Sequence, residues 1–163
     1  MQYTAHCETP LGCVTLASDG ESLTGLWFDG QKYFGAGLCS APEERELPVF
    51  AAARDWLQIY FSGRDPDFTP LLSLRGSPFQ CAVWKKLLQI PYGSTATYGE
   101  IAHWLSEESG GKLSARAVGN AVGHNPVSLI VPCHRVVGAN GSLTGYAGGV
   151  GRKRCLLELE GQR

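Results

Sequence analysis

The chain changes its period at Arg75-Gly76-Ser77-Pro78, and that break constrains the fold more than any other feature. Before it, short apolar runs alternate with turn residues. Val14-Thr15-Leu16-Ala17 follows a Pro10-Leu11-Gly12 turn and reads as a strand; Leu23 to Phe28 reads as a second, set between Asp19-Gly20 and Asp29-Gly30. From Pro48 to Phe61 the spacing becomes helical, with Phe50, Ala53, Leu57, Tyr60 and Phe61 on one face. Residues 68–74, containing Pro70, read as an extended edge or connector. After the break, helix start and stop signals crowd together. Ser77 can cap a helix with Pro78 in its first turn, burying Phe79, Val83, Leu87 and Leu88 and leaving Lys85 and Lys86 wet; Pro91-Tyr92-Gly93 stops it. Thr97-Tyr98-Gly99-Glu100 is a capping box for a short helix through Ile101, Ala102 and Leu105. A polar stretch, Ser106 to Lys112, leads to a helix capped by Ser114 and running from Ala115 to Val122. These two short helices read as a helix-turn-helix unit. The expected class is α/β (α+β), with a mixed N-terminal domain over 1-76 and a helical C-terminal domain over 77-163.

At 163 residues, with 44% hydrophobic and 18% charged, the chain can bury a real core and is too apolar to be disordered. No apolar run approaches the ~18–20 residues of a membrane helix. Met1 to His6 lacks a basic-then-apolar leader pattern. These features predict a soluble, cytoplasmic protein with no membrane partner. The six cysteines, at 7, 13, 39, 81, 133 and 155, form no Cys-x-x-Cys pair, so free thiols in a reducing compartment are expected, most of them small buried hydrophobes. Cys81 and Cys155 read as core packing. The net charge of −1 hides an asymmetry: five basic against ten acidic residues in 1–76, nine against five in 77–163. Either the second half meets a polyanion such as nucleic acid, or solvated charge is clustered by chance.

The last of the short helices is notable for its small face. Ala117, Gly119 and Ala121 offer little side chain, which suits either close helix–helix packing or close approach to a nucleic-acid groove. In the second case Arg116 projects from the first turn. Small residues fit the narrow minor groove, leaving binding mostly to phosphates and shape.

Chemistry points to Cys133. A β-branched apolar run, Val127 to Val131, reads as a buried strand and delivers Pro132-Cys133-His134-Arg135 at its end. A free thiol is only a few per cent thiolate at neutral pH. An adjacent imidazole can take its proton or stabilise the thiolate, lowering the thiol pKa to about 3.5–7.5.

The run Ile130-Val131-Pro132-Cys133-His134-Arg135-Val136-Val137 resembles the active-site signature of the O6-alkylguanine-DNA alkyltransferases, or methylated-DNA–protein-cysteine methyltransferases. Phe79 to Gly99, Arg116 to Gly119, Gly123 to Pro126, Gly145 to Gly149 and Leu156 to Gly161 follow in the family's order, so the resemblance covers Ser77 to Gly161. It implies a winged-helix-like DNA-binding domain carrying the active cysteine, preceded by the family's variable α/β domain. It implies that Cys133 accepts an alkyl group from a guanine flipped out of double-stranded DNA. His134 would activate the cysteine through water, Glu160 would orient that histidine, Tyr98 would protonate the departing guanine, and Asn125 would support the thiolate. Arg116 would fill the gap left by the base. Ala117, Gly119, Ala121 and Tyr98 would lie along the DNA, and Tyr146, Ala147 and Gly148 would line the base pocket. The thioether product implies one turnover per molecule. No cofactor is called for, and a monomer is expected.

Two departures stand out. Ser106 to Lys112 is longer and more acidic than usual, so this loop is expected to point away from DNA. Ala147 stands where many relatives carry serine. Some relatives hold zinc through N-terminal residues; His6, Cys7, Cys13 and Cys39 do not match that spacing, and buried thiols with no metal are expected. The rival readings are a non-catalytic lesion-sensing DNA-binding protein, disfavoured because Cys133 is present, and a cysteine hydrolase, which usually draws its histidine from elsewhere in the chain.

Overall fold

A computed structural model describes residues 1–161. The chain divides into two compact units: Met1–Arg75 with Pro126–Ser128, and Gly76–Asn125 with the residues from Leu129 onward. The last two residues of the expected 77-163 domain, 162–163, lie outside the described residues. Mixed α and β structure is present, as the sequence pattern implies.

The first unit is a four-stranded sheet in the order β3-β2-β1-β4. Its strands are β1 (Tyr3–Thr9), β2 (Gly12–Ser18), β3 (Leu23–Phe28) and β4 (Glu43–Glu44). The first three form an antiparallel meander, and β4 lies parallel to β1. A tight turn at Pro10-Leu11 joins β1 to β2; Thr9 Oγ1 accepts from the Leu11 amide and donates to the Gly12 carbonyl. The helix α1 (Pro48–Phe61) packs on β1 and β2, burying Val49, Phe50, Ala53, Trp56, Leu57 and Tyr60. Each large apolar side chain so buried contributes about 1.5–3 kcal/mol. The connector near Pro70 is extended as expected: Leu72 bridges Leu23, whose amide donates to the Leu71 carbonyl.

The second unit is built on three capped helices. α2 (Pro78–Leu87) begins with a full capping box between Ser77 and Gln80. It buries Val83, Trp84 and Leu87, while Phe79 is half-buried and Leu88 exposed. The apolar stripe is therefore rotated toward Trp84, whose indole N–H donates to the Ala121 carbonyl at 2.8 Å. The strand β5 (Ala96–Thr97) leads into α3 (Tyr98–Ser109), capped by the expected Thr97/Glu100 box. α4 (Ala115–Gly123) is capped by Ser114 and packs on α2 and α3. A 3-10 turn, Cys133–Arg135, runs into β6 (Val136–Val137), which pairs parallel with β5. α5 (Val150–Leu159) completes the unit.

Three expectations need correction. Ser106 to Ser109 is helix rather than connector, because α3 continues to a left-handed cap at Gly110. Its acidic residues form the outer face of that added turn: Glu107 pairs with His103, and Glu108 with Lys86 on α2. Val127–Val131 is not a strand. It is a buried turn with one bridge from Val127 to Leu26, bounded by prolines that lack a ladder N–H, and Leu129 takes a left-handed φ of 72°. That conformation costs roughly 1–2 kcal/mol for a side-chain-bearing residue, which the burial of Val127, Leu129 and Val131 offsets. The thiols are less buried than expected, with Cys7, Cys13 and Cys81 half-buried and Cys39 and Cys155 exposed. Among the described residues no helix is long and apolar enough to cross a membrane.

Candidate active site

Cys133 begins the 3-10 turn and is 4% exposed. Its own N–H is spent on the Val131 carbonyl at 2.8 Å, which closes the turn after Pro132. Burial pushes the thiol pKa up, against opposing help from the Asn125 side chain, the Lys153 charge and the local amides. The expected depression by a neighbouring imidazole is absent, and the reason is the state of His134. That ring is fully buried, which drives its pKa below the ordinary value despite the nearby Glu160 carboxylate. It stands as neutral imidazole and so brings no positive charge to Cys133.

Glu160 fixes which ring nitrogen carries the proton. Its carboxylate lies 2.6 Å from His134 Nε2, accepts from Arg135 Nε at 2.8 Å and Nη2 at 3.2 Å, and accepts from the Gly93 amide at 3.1 Å. An ionised carboxylate only accepts, so Nε2 carries the proton and Nδ1 keeps the lone pair. Glu160 reaches this position because it caps the C-terminus of α5, 26 residues after His134. Arg135 is gripped further by donating to the Ile90 carbonyl at 2.8 Å. Asn125, on the turn after α4, donates Nδ2 to the Val131 carbonyl at 2.9 Å and is held against the sulfur.

The Cys133 charge acts on two tyrosines. Tyr98 starts α3 and donates Oη to the Thr144 carbonyl at 3.0 Å. Burial first, and the Cys133 charge second, raise its pKa, so it stays a proton donor. Gly145 is required beside it: its φ is +72°, and an added Cβ would lie 3.2 Å from the Tyr98 hydroxyl. Tyr146 is buried edge-on to His134, with ring centroids 6.5 Å apart. Its hydroxyl has no hydrogen-bond partner among the described residues. Ala147 is half-buried and Gly148 buried, on the turn closed by the Gly149 amide donating to the Tyr146 carbonyl.

The start of α4 is open to solvent. Arg116 is exposed in its first turn; Ala117 is half-buried, its N–H taken by the Ser114 cap. Gly119 lies over the Tyr98 ring, where an added Cβ would sit 3.6 Å from Cδ1 in ordinary contact. Ala121 departs from expectation. At 2% exposure it faces α2, so its small side chain serves helix packing and cannot touch a groove. The two readings of the small face thus divide along the helix: Arg116, Ala117 and Gly119 remain near its open side, and Ala121 belongs to the core.

Sequence reasoning missed Lys153, which is fully buried on α5 and donates to the Val136 carbonyl at 2.5 Å and the Thr144 carbonyl at 3.0 Å. In the sequence it stands between two further basic residues, Arg152 and Arg154. The available sign was its spacing, since Lys153, Leu156, Leu157 and Glu160 recur at helical intervals on the buried side.

Comparison with known proteins accounts for both units. Residues 2–74 match the family description "6-O-methylguanine DNA methyltransferase, ribonuclease-like domain", and residues 78–162 match its "DNA binding domain". The methylated-DNA–protein-cysteine methyltransferase of Mycobacterium tuberculosis is 49% identical over 156 residues, covering 96% of this chain and 90% of that protein. The chain belongs to the methylated-DNA–protein-cysteine methyltransferase family. The constitutive methylated-DNA–protein-cysteine methyltransferase of Bacillus subtilis is 38% identical over 162 residues, covering 98% of this chain and 96% of its own. Among solved structures, the Mycobacterium tuberculosis O6-methylguanine methyltransferase matches with a TM-score of 0.83 at 47% identity, covering 98% of this chain and 93% of that one. A structure of the OGT protein from the same organism in complex with DNA matches with a TM-score of 0.82 at 46% identity, covering 98% of this chain and 91% of that one. As a methylated-DNA–protein-cysteine methyltransferase, the protein is a transferase of DNA repair that moves an alkyl group from DNA to a cysteine.

Proposed function

We propose that Cys133 is that cysteine, and that it takes the alkyl group of O6-alkylguanine, and of O4-alkylthymine, in double-stranded DNA, once per molecule. The observation that carries this reading is the buried Cys133–His134–Glu160 cluster, a nucleophile beside a neutral base whose tautomer a carboxylate fixes. His134 Nδ1 takes the thiol proton through a bound water. The sulfur then attacks the alkyl carbon, the carbon–O6 bond breaks, and its electron pair leaves with the base. Tyr98 protonates the departing guanine. The new carbon–sulfur bond is a thioether with no neighbouring group able to cleave it, so the protein is consumed. Displacement at a saturated carbon needs neither oxidant nor carrier, and the protein's own groups suffice.

The DNA contacts follow the same reading. The DNA-binding and alkyl-acceptor domain is the 77-163 part of the chain without Pro126–Ser128, which group with the separate α/β domain of 1-76. Arg116, Ala117, Gly119 and Tyr98 lie along the minor groove of a duplex bound by a monomer in the cytoplasm, where thiols stay reduced. The lesion is flipped into a pocket lined by Tyr146, Ala147 and Gly148, and Arg116 fills the gap. Flipping costs a few kcal/mol, which a guanidinium in the gap lowers. Arg116→Ala should therefore transfer at least about tenfold more slowly from a duplex, since 1.4 kcal/mol is tenfold, while transfer from free O6-methylguanine base changes little. Guanine restored in the duplex is the readout. No restored guanine with the unmodified protein refutes the reading; equal losses on duplex and free base refute flipping.

Two further variants separate stability from function. Gly119→Ala fits sterically and should stabilise α4 by about 0.5–1 kcal/mol, yet weaken duplex binding if the groove meets this face. A thermal melt with a duplex titration checks both; unchanged affinity would move the DNA elsewhere. Tyr146→Phe removes a buried hydroxyl without a partner among the described residues, so stability should rise by up to about 1 kcal/mol. If that hydroxyl serves the bound base, transfer should slow in the same variant, and a rate equal to wild type would remove Tyr146 from the pocket's chemistry.

A further inference from the structure

Among the described residues the buried lysine and arginine side chains are Arg135 and Lys153, and of these only Arg135 is matched by a carboxylate. Burying an ammonium is costly unless an anion meets it. Lys153 instead donates to two neutral carbonyls, those of Val136 and Thr144. The first lies directly after the nucleophile's 3-10 turn, and the second precedes the Gly145-Tyr146 segment. The Thr144 carbonyl also receives the Tyr98 hydroxyl, and the Lys153 ammonium lies 6.0 Å from the centre of the Tyr98 ring. Its other ionisable neighbours are Cys133 and His134. Glu160 is neutralised by Arg135, and His134 is uncharged, so among the groups that act on the Cys133 thiol Lys153 is the cation.

We propose that Lys153 is a positioning residue for the transfer, holding the counter-charge for the Cys133 thiolate and pinning, through the Val136 and Thr144 carbonyls, both ends of the segment between nucleophile and base pocket. The proposal rests on Cys133 being the acceptor. When Cys133 loses its proton, an anion forms opposite a cation already in place, and no side chain has to move. When the thiolate becomes a neutral thioether, Lys153 loses that partner. Burial already pulls the Lys153 pKa down to about 8, and the Cys133 charge works to raise it. The coupling is reciprocal, so each group's titration must report the other.

The test measures single-turnover methylation of Cys133 by a saturating O6-methylguanine duplex, from neutral to alkaline pH, in wild type, Lys153→Met and Lys153→Arg. Lys153→Met should be about tenfold slower at neutral pH, with its rate midpoint moved up by about one pH unit, since one unit is a factor of ten in thiolate. Duplex affinity should stay within about twofold, because Lys153 is buried. Lys153→Arg, which keeps its charge at every pH used, should restore most of the rate and keep it at alkaline pH. A Lys153→Met midpoint equal to wild type, or Met and Arg variants equally slow, overturns the proposal. A second measurement needs no Lys153 variant: the lysine ε-carbon signal that titrates near pH 8 should titrate lower in Cys133→Ala. An unchanged midpoint there also overturns it. Cys133→Ala in the transfer assay keeps the two readings apart. Methyl transfer by Cys133→Ala would sink the acceptor assignment; an inactive Cys133→Ala beside a wild-type profile for Lys153→Met sinks only the role of Lys153.

Discussion

Cys133→Ala should accept no methyl group, yet bind duplex DNA within about twofold of wild type. The sulfur is buried behind the 3-10 turn, and its removal deletes one small side-chain atom, so the cost to stability is about 1 kcal/mol. Arg116 and the open face of α4 are untouched. Of the five other thiols, none is among the groups acting on His134, Tyr98 or Lys153. The measurement pairs guanine restoration in a lesion-bearing duplex with a binding titration on the same duplex. Restoration at even about one thousandth of the wild-type rate exceeds what binding without a nucleophile could give, and would move the chemistry to another residue.

Glu160→Ala should be the most destabilising single change in the second unit. It leaves the Arg135 guanidinium buried beside the Ile90 carbonyl and the Tyr92 ring with no carboxylate to match it, and takes an acceptor from both His134 Nε2 and the Gly93 amide. Breaking a buried ion pair from one side costs about 3–5 kcal/mol. At about 2–4 °C per kcal/mol for a chain of this size, the melting temperature should fall by roughly 6–20 °C. Glu160→Gln separates folding from chemistry. Its amide keeps the shape and one acceptor oxygen, so most stability should return, while the tautomer of His134 is no longer enforced. Transfer should still be at least about 10²-fold slower, the range of a general base. A Gln variant that melts like wild type and transfers like wild type would show that the carboxylate serves structure alone.

What could be read in advance followed the range of the interactions. Ser77, Thr97 and Ser114 announce three helices because a cap is a contact between residues three apart. The strands pair over longer separations and left weaker marks. β1 carries Tyr3-Thr4-Ala5-His6-Cys7-Glu8-Thr9, with too few apolar residues to alternate, and the two-residue strands β5 and β6 exist only because Ala96 meets Val136. Val127–Val131 misled for the opposite reason. Its apolar content is a record of burial, and burial does not specify extension when prolines bound the run and Leu129 turns left-handed. Polar composition hid the helical turn at Ser106 to Ser109, whose charges are satisfied by Lys86 and His103.

The site divides similarly. Cys133 and His134 are adjacent in sequence and legible together, whereas Glu160 entered through the family resemblance, and the geometry then supplied its reason in Arg135 and Gly93. At Ala121 the sequence is ambiguous, because a small residue suits a groove and a packed helix equally; Trp84 decides for packing. Lys153 escaped because its charge masked its position on the buried face of α5.

The most direct measurement is the intact mass of the wild-type chain after incubation with a large excess of O6-methylguanine duplex, followed by peptide mapping. One methyl group should appear per chain, on the peptide holding Cys133, with one guanine restored for each chain consumed. Several guanines restored per chain with the Cys133 thiol still free, or a methyl group on any other residue, would contradict it.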